Sequence, residues 1–470
     1  MRRHWGYIAA ALAMLAAPAS AAPAKAPVKK AAPAATKPTP KPAAMAPAPL
    51  PDKPEIQALR RAFRFGFAPY EMLRTRALQA ARVQAAGMGS GINMLIPRLK
   101  LADASTREVT TPNNDTLYAS AWLDLRDGPV FFTIPPLSRY HSASLMSITS
   151  DVIALLGTRT VGTEGGRYAI VGPKFSGDLP RGVEMVRSPS NDAWLLVRVV
   201  VNGPEDLAAA ADGLTRYTLS AIGGETPLDL AVPTAPDGKA FITTVNAAIE
   251  RSGDERLAAR ARSFADQGIG TPWEQLSPEQ QALWNSSLPA LIHELKSGQA
   301  MGEPVNGWTY PPLNMAQYGE DDDLRATIAL GGLAALPRAE AVYLTARSDG
   351  EGKPLTGAKS WRLKIPPGLP VGAFWSLTMY QQDADGRLFF VPNELDRFAV
   401  GDRSRHLRPE RDGSIELFIQ HGKPSGERVV NWLPAPTGRF VLMFRAYLPG
   451  SGLLDGSVRL PAVTEDEIIP

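Results

Sequence analysis

The sequence predicts a mixed, mainly β protein: two antiparallel β-sandwich or jelly-roll-like domains with a helical N-terminal segment and a helical middle region. Three observations carry this. Short apolar runs bounded by Gly, Pro, Asp or Ser clusters recur between Val130 and Val200. The pattern returns between Trp361 and Tyr447, where Ile415, Leu417 and Ile419 alternate with Ser414, Glu416 and Gln420 as on a strand with one wet face. Between them, Pro204 to about Ser297 has helical spacing instead. Punctuated strands of this kind favour antiparallel sheets over βαβ units.

Taken from the start, MRRHWGYIAAALAMLAAPASA has the layout of a secretory signal peptide over residues 1–21. Arg2 and Arg3 form the positive end, Trp5 to Ala17 the apolar run, and Ala19-Ser20-Ala21 the small-residue cleavage site. The apolar run is short for a bilayer span, so no stable membrane span is expected after cleavage, and a periplasmic or secreted location follows. Residues 22–54 are almost wholly Ala, Pro and Lys, a composition that buries too little apolar surface to offset ordering entropy. They read as an extended, mildly basic tether.

Residues 55–203 begin with a helix from Glu55 to about Met94, interrupted at Pro69. The first β domain follows, with runs at Val130–Ile134, Ala143–Ile148, Tyr168–Val171 and Ala193–Val200. The helical middle, residues 204–335, contains LSPEQQALWNSSLPALIHELKSG, a capped amphipathic segment ending at a glycine. Residues 336–470 form the second β domain. The two β regions carry a weak internal repeat. FTIPPLSRYHSASLMSIT, from Phe132, lies without gaps over LKIPPGLPVGAFWSLTMY, from Leu363. Upstream, Asp115-Thr-Leu-Tyr118 parallels Glu340-Ala-Val-Tyr343.

Composition narrows the function classes. Apolar residues make up 44% of the 470-residue chain and charged residues 21%, and the formal net charge is +3. That charge is too small to point to nucleic acid or an anionic membrane as the main partner. With no cysteine, disulfides, thiolate metal sites and cysteine nucleophiles are excluded. No serine sits in a nucleophile elbow, and neither a phosphate-binding loop nor a strand-linked GxGxxG is present. The histidines, His4, His141, His293, His406 and His421, are not paired at metal-ligand spacing. Asp321-Asp322-Asp323 could hold a divalent cation, but acids of this kind more often start a helix. The motifs imply no metal and no cofactor.

The polar turn Thr111-Pro112-Asn113-Asn114-Asp115-Thr116, abutting an apolar strand, is the candidate site. Asp115, held among Asn113, Asn114 and Thr116, could serve as a general base or orient a ligand; the same residues also suit an Asx turn. Tyr118 is a second catalytic candidate; it would point away from Asp115 on a regular strand, so only a bend or bulge lets the two act together. Arg139, with Tyr140, could clamp an anionic ligand group and stabilise charge, or pair with Asp124 or Asp115. In the second half, Trp375, Tyr380, Asn431 and Trp432 are candidate ligand-binding residues; Trp375 lies in a strongly apolar strand and suits core packing as well, while Trp432 offers a face for a sugar ring. Arg445 interrupts an apolar strand and needs a carboxylate partner if its face is buried.

PNNDTLYASAWLDL, SRYHSASLMSITSDVIALLGTRTVG and YAIVGP resemble the bacterial family of domain of unknown function 1254. DGEGKPLTG, AFWSLTMY, DGSIELFIQ and NWLPAPTGRFVLMFRAYLP are similar to its usual companion, domain of unknown function 1214. The resemblance implies two sandwich-like domains around a helical segment, and implies little about function. Two functional expectations stand. The first is an exported protein binding a small molecule, glycan or envelope fragment in a cleft near Asn113–Tyr118, with self-association left open. The second is a periplasmic hydrolase or lyase with Asp115 as base and Arg139 or Tyr140 stabilising charge.

Overall fold

A long helix and a pair of β-sandwiches organise the chain. The structure, a computed structural model, describes residues 47–107, 110–223, 230–298, 301–383 and 386–466. The signal-peptide reading and residues 22–46 of the tether lie outside the described residues.

Helix α1 (Pro54–Ala85) begins on a proline, whose missing N–H is no loss at a helix start. It buries Leu59, Phe63, Phe65, Tyr70, Met72 and Leu73. The expected interruption at Pro69 does not occur, and the helix runs through it. Pro69 is itself buried there among apolar neighbours, so packing holds the helix together across the lost hydrogen bond. The helix also stops short of Met94, where GMGSG brings three glycines with positive φ, Gly87, Gly89 and Gly91.

The first β region comprises β1 (Ile96–Arg98), β2 (Thr116–Asp124), β3 (Val130–Ile134), β4 (His141–Ser147), β5 (Val152–Gly157), β6 (Gly166–Val171), β7 (Glu184–Arg187) and β8 (Asp192–Val200). After α2 (Leu207–Thr215), β9 (Thr218–Ala221) returns to it. The strands form two sheets, β1-β2-β8-β4-β5 and β7-β6-β3-β9. Leu117, Ala119, Ala121 and Leu123 from the first pack on Val130, Phe132, Tyr168 and Ile170 from the second. That is a sandwich, with strict alternation along β2.

Helices α3 (Gly238–Ser252), α4 (Glu255–Arg262) and α5 (Pro278–Ser297) follow. α5 has the expected capping box, Ser277 with Gln280, and ends at Gly298. The second β region starts with β10 (Glu303–Val305) and β11 (Trp308–Tyr310), ahead of α6 (Asp322–Gly331). It continues with β12 (Ala341–Ala346), β13 (Trp361–Ile365), β14 (Val371–Gln382), β15 (Leu388–Phe389), β16 (Ala399–Gly401), β17 (Ile415–Gln420), β18 (Trp432–Pro434) and β19 (Phe440–Pro449). α7 (Ser451–Asp455) and β20 (Thr464–Glu465) close it. Thus β9, β10 and β11 fall inside the stretch read as helical, being too short to show a period of two.

The second region repeats the first. Its sheets are β10-β11-β12-β19-β14-β15, with β16 also on β14, and β18-β17-β13-β20. The order β2-β8-β4-β5 reappears as β12-β19-β14-β16, and β7-β6-β3-β9 as β18-β17-β13-β20. Even the parallel pairs correspond, β6 with β7 and β17 with β18. Each region thus has one sheet whose second face is turned from its own sandwich core. Those two faces meet in a shared core with α1, joining Trp122, Tyr140 and Trp194 to Phe374 and Tyr447. Among the described residues no helix is long and apolar enough to cross a membrane.

Candidate functional site

The sheet faces that meet are apolar next to α1 and polar elsewhere. On β2 and β8, Tyr118 stands directly opposite Arg198; on β12 and β19, Tyr343 stands directly opposite Arg445. The third strand of each sheet adds a serine opposite the arginine, Ser142 on β4 and Ser376 on β14. Two residues further on, Ser144 accepts a hydrogen bond from Arg198 at 3.0 Å, and Thr378 accepts one from Arg445 at 2.6 Å. The chemistry is duplicated along with the fold.

Its acids are exchanged between the repeats. Asp115, which is 5% exposed and directly precedes β2, accepts from Ser376 at 2.6 Å and from Arg403 at 2.5 Å. Glu340, fully buried and directly before β12, accepts from Tyr140 and from Arg159, both at 2.8 Å. The two arginines occupy equivalent places in Gly157-Thr-Arg159-Thr160 and Gly401-Asp-Arg403-Ser404. In both, the glycine N–H donates to the hydroxyl three residues on, at 3.0 Å. Each acid is therefore neutralised by the arginine of the other repeat.

The strand arginines also cross over. Arg198 donates to the carbonyl of Ala334, ahead of β12, and Arg445 donates to that of Thr111, ahead of β2. Ala334 and Thr111 have φ of 67° and 51°, a conformation rare for residues other than glycine. Arg198 is 4% exposed and Arg445 2%. Among the described residues neither has a carboxylate within ion-pair distance. Asp115 contributes to the field at Arg445 but spends its oxygens on Ser376 and Arg403.

The tyrosines complete the setting. Burial pushes the Tyr447 and Tyr140 hydroxyls well above the usual tyrosine range, helped by Tyr343 in the first case and Glu340 in the second. Burial also pushes Tyr343 up to about 12, against the opposing effect of Arg198 and Arg445. All are neutral donors at ordinary pH. Tyr118 and Tyr343, on interior strands, keep part of their surface exposed.

The turn named from sequence thus lies at this junction. The Oδ1 atom of Asn113 accepts from the Asp115 N–H at 2.7 Å, so Asn113 makes the Asx turn and leaves the Asp115 carboxylate free to cross over. The Asn113 amide donates to the Tyr447 hydroxyl at 2.7 Å. Asn114 is half-buried beside it, and Thr116 is fully buried with no partner for its hydroxyl among the described residues. Asp115 directly precedes β2, and Tyr118 lies within it, opposite Arg198. Tyr140 packs edge-on against Phe374 and Tyr447. Tyr380 donates to the Pro112 carbonyl and accepts from Arg445.

Other named residues lie elsewhere. Arg139 pairs with Asp206 through two hydrogen bonds, not with Asp124 or Asp115, and borders a surface depression with Pro136 and Arg216. Trp375 stacks on Phe444 in the second sandwich core. The Asn431 amide bonds the backbone of Arg408 and Glu416, and the Trp432 ring N–H donates to Gln420, both at the outer sheet. Asp321 caps α6, and Asp322 pairs with Arg260 and Arg325.

Comparison with known proteins agrees with this architecture. Residues 92–220 match the family described as Protein of unknown function (DUF1254), and residues 340–451 match Protein of unknown function (DUF1214). The chain thus carries a DUF1254 region followed by a DUF1214 region. The crystal structure of the VPA0106 protein from Vibrio parahaemolyticus is similar to it, with a TM-score of 0.65 at 22% identity over 88% of this chain and 100% of its own. A putative uncharacterized protein from Burkholderia cenocepacia has a TM-score of 0.43 at 14% identity, over 89% of this chain and 90% of its own. No curated protein sequence matches the DUF1254–DUF1214 chain.

Arg159, Arg198 and Arg403 were not singled out from sequence. The signal for the first and third was the repeated Gly-x-Arg-[Ser/Thr]; for the second it was an arginine inside the apolar run LLVRVV, as in LMFRAY.

Proposed function

We propose that this is an exported binding protein that holds a small polar molecule in a crevice between its two β regions. One observation carries the reading: duplicated tyrosine–arginine pairs lie at the junction of the two regions with hydrogen-bonding capacity to spare. Arg198 makes two protein hydrogen bonds and Arg445 three, while a guanidinium has about five N–H groups. Tyr118 and Tyr343 keep accessible surface beside them. The signal-peptide layout of residues 1–21 supports a periplasmic or secreted location.

The hydrolase or lyase reading has less support. A general base needs a carboxylate that can take a proton from substrate, and both Asp115 oxygens are hydrogen-bonded, one of them to a guanidinium. The test is a thermal-shift screen of small polar molecules on the full chain. Stabilising compounds should lose their effect in the Tyr118→Phe/Tyr343→Phe double variant and keep it in Asp115→Asn, which will melt lower. A compound that is turned over by the wild type but not by folded Asp115→Asn would replace this reading with the hydrolase.

A further inference from the structure

The charge left over in the crevice describes the ligand more closely, on the assumption that the crevice is a binding site. A guanidinium removed from water is costly unless an opposing charge or a full set of acceptors compensates it. Asp115 and Glu340 are already matched, each to the other repeat's Gly-x-Arg arginine. Arg198 and Arg445 are buried on facing sheets with neutral acceptors only: a hydroxyl, a loop carbonyl and, for Arg445, a tyrosine. Arg198 reaches across to the loop ahead of β12 and Arg445 to the loop ahead of β2, so both guanidiniums sit at the junction of the two regions.

We propose that the ligand is a short dicarboxylate, with one carboxylate received by Arg198 and the other by Arg445. Each carboxylate would meet the same surroundings: an arginine fork, the tyrosine paired with it across the strands, and a hydroxyl on the third strand. Planar forks suit carboxylates because two parallel N–H bonds can form. Duplicated receptors suit a molecule with the same group at both ends. A monocarboxylate would leave one guanidinium uncompensated.

Isothermal titration of the full-length protein tests this with succinate, glutarate and adipate, each beside its methyl half-ester and its diamide. One diacid should bind at least about 10-fold more tightly than its half-ester, since a hydrogen bond to a charged group is worth roughly that factor. Its diamide should not bind measurably. Arg198→Met and Arg445→Met should each weaken the diacid about 10- to 100-fold and bring it level with the half-ester. Without ligand, neither variant should melt below wild type, because each removes a buried uncompensated charge. Half-esters that bind as tightly as diacids would overturn the dicarboxylate assignment and leave the binding reading standing. So would neutral polar compounds that bind when no diacid does. If both arginine variants melted far below wild type and wild type ignored every diacid, the arginines would be structural and the assignment would fall.

Discussion

Asp115 and Arg403, 288 residues apart in sequence, are joined by a 2.5 Å hydrogen bond in which Arg403 donates to the carboxylate across the junction of the two β regions. Removing one partner strands the other's charge. Asp115→Ala should therefore cost about 3 kcal/mol, near the lower end for a broken buried pair because Arg403 is partly solvated. The Asp115→Ala/Arg403→Met double variant should lose less than the sum of the singles. Urea unfolding of all four proteins checks this, and strict additivity would refute the coupling.

Tyr140→Phe isolates one neutral donor. Glu340 would keep Arg159 and lose only the tyrosine hydroxyl, and the Phe374 and Tyr447 ring contacts would survive. The expected loss is about 1–2 kcal/mol, the usual cost of one missing hydrogen bond to a charged group. A change below about 0.3 kcal/mol would mean that water replaces the hydroxyl without cost.

Gly401 and Gly157 are required by close strand approach and not by unusual backbone angles. A Cβ on Gly401 would sit 2.2 Å from the Trp375 carbonyl oxygen, and one on Gly157 would sit 2.3 Å from that of His141. Gly401→Ala should push β16 off β14 and displace Arg403, lowering the melting temperature at least as far as Asp115→Ala does. An alanine variant as stable as wild type would show that the edge strand yields freely.

The buried tyrosines predict an alkaline limit. In the folded protein Tyr343 holds its proton up to about 12, and Tyr447, Tyr140 and Tyr380 are also shifted upward by burial. In the unfolded chain tyrosines titrate near about 10. The fold binds these protons more tightly, so their contribution is complete below about pH 10 and is lost as pH climbs toward 12. Urea midpoints measured from pH 8 to 12 should hold level and then drop, with a shallower drop in Tyr343→Phe. A midpoint independent of pH over that range would exclude the effect.

Much of the fold is legible in the sequence, because alternation along Ile415–Gln420 and the Ile-Pro-Pro pairs are local features. The site is legible only in part. The Asn113–Asp115 turn stands out by composition, yet its partners Ser376, Arg403 and Tyr447 are reached only by folding. A gapless overlay of the repeats sets Ser142 against Ala373, although the serine opposite the matching arginine is Ser376. The second repeat spends three more residues between Ile-Pro-Pro and that serine, and the irregularity between Val371 and Phe374 in β14 takes up one of them. Asn431 and Trp432 look like pocket residues because amide and indole are good ligand groups, but the same groups serve equally well to satisfy buried backbone.

The exchange of acid and arginine between repeats has a consequence for the chain cut in two. A lone half would carry one carboxylate and one guanidinium that cannot reach each other, both aimed outward from the same sheet. A second copy, turned by half a revolution, would satisfy both at once. That is the rule of contact in a closed dimer about a dyad. The present molecule has the form of such a dimer tied into a single polypeptide.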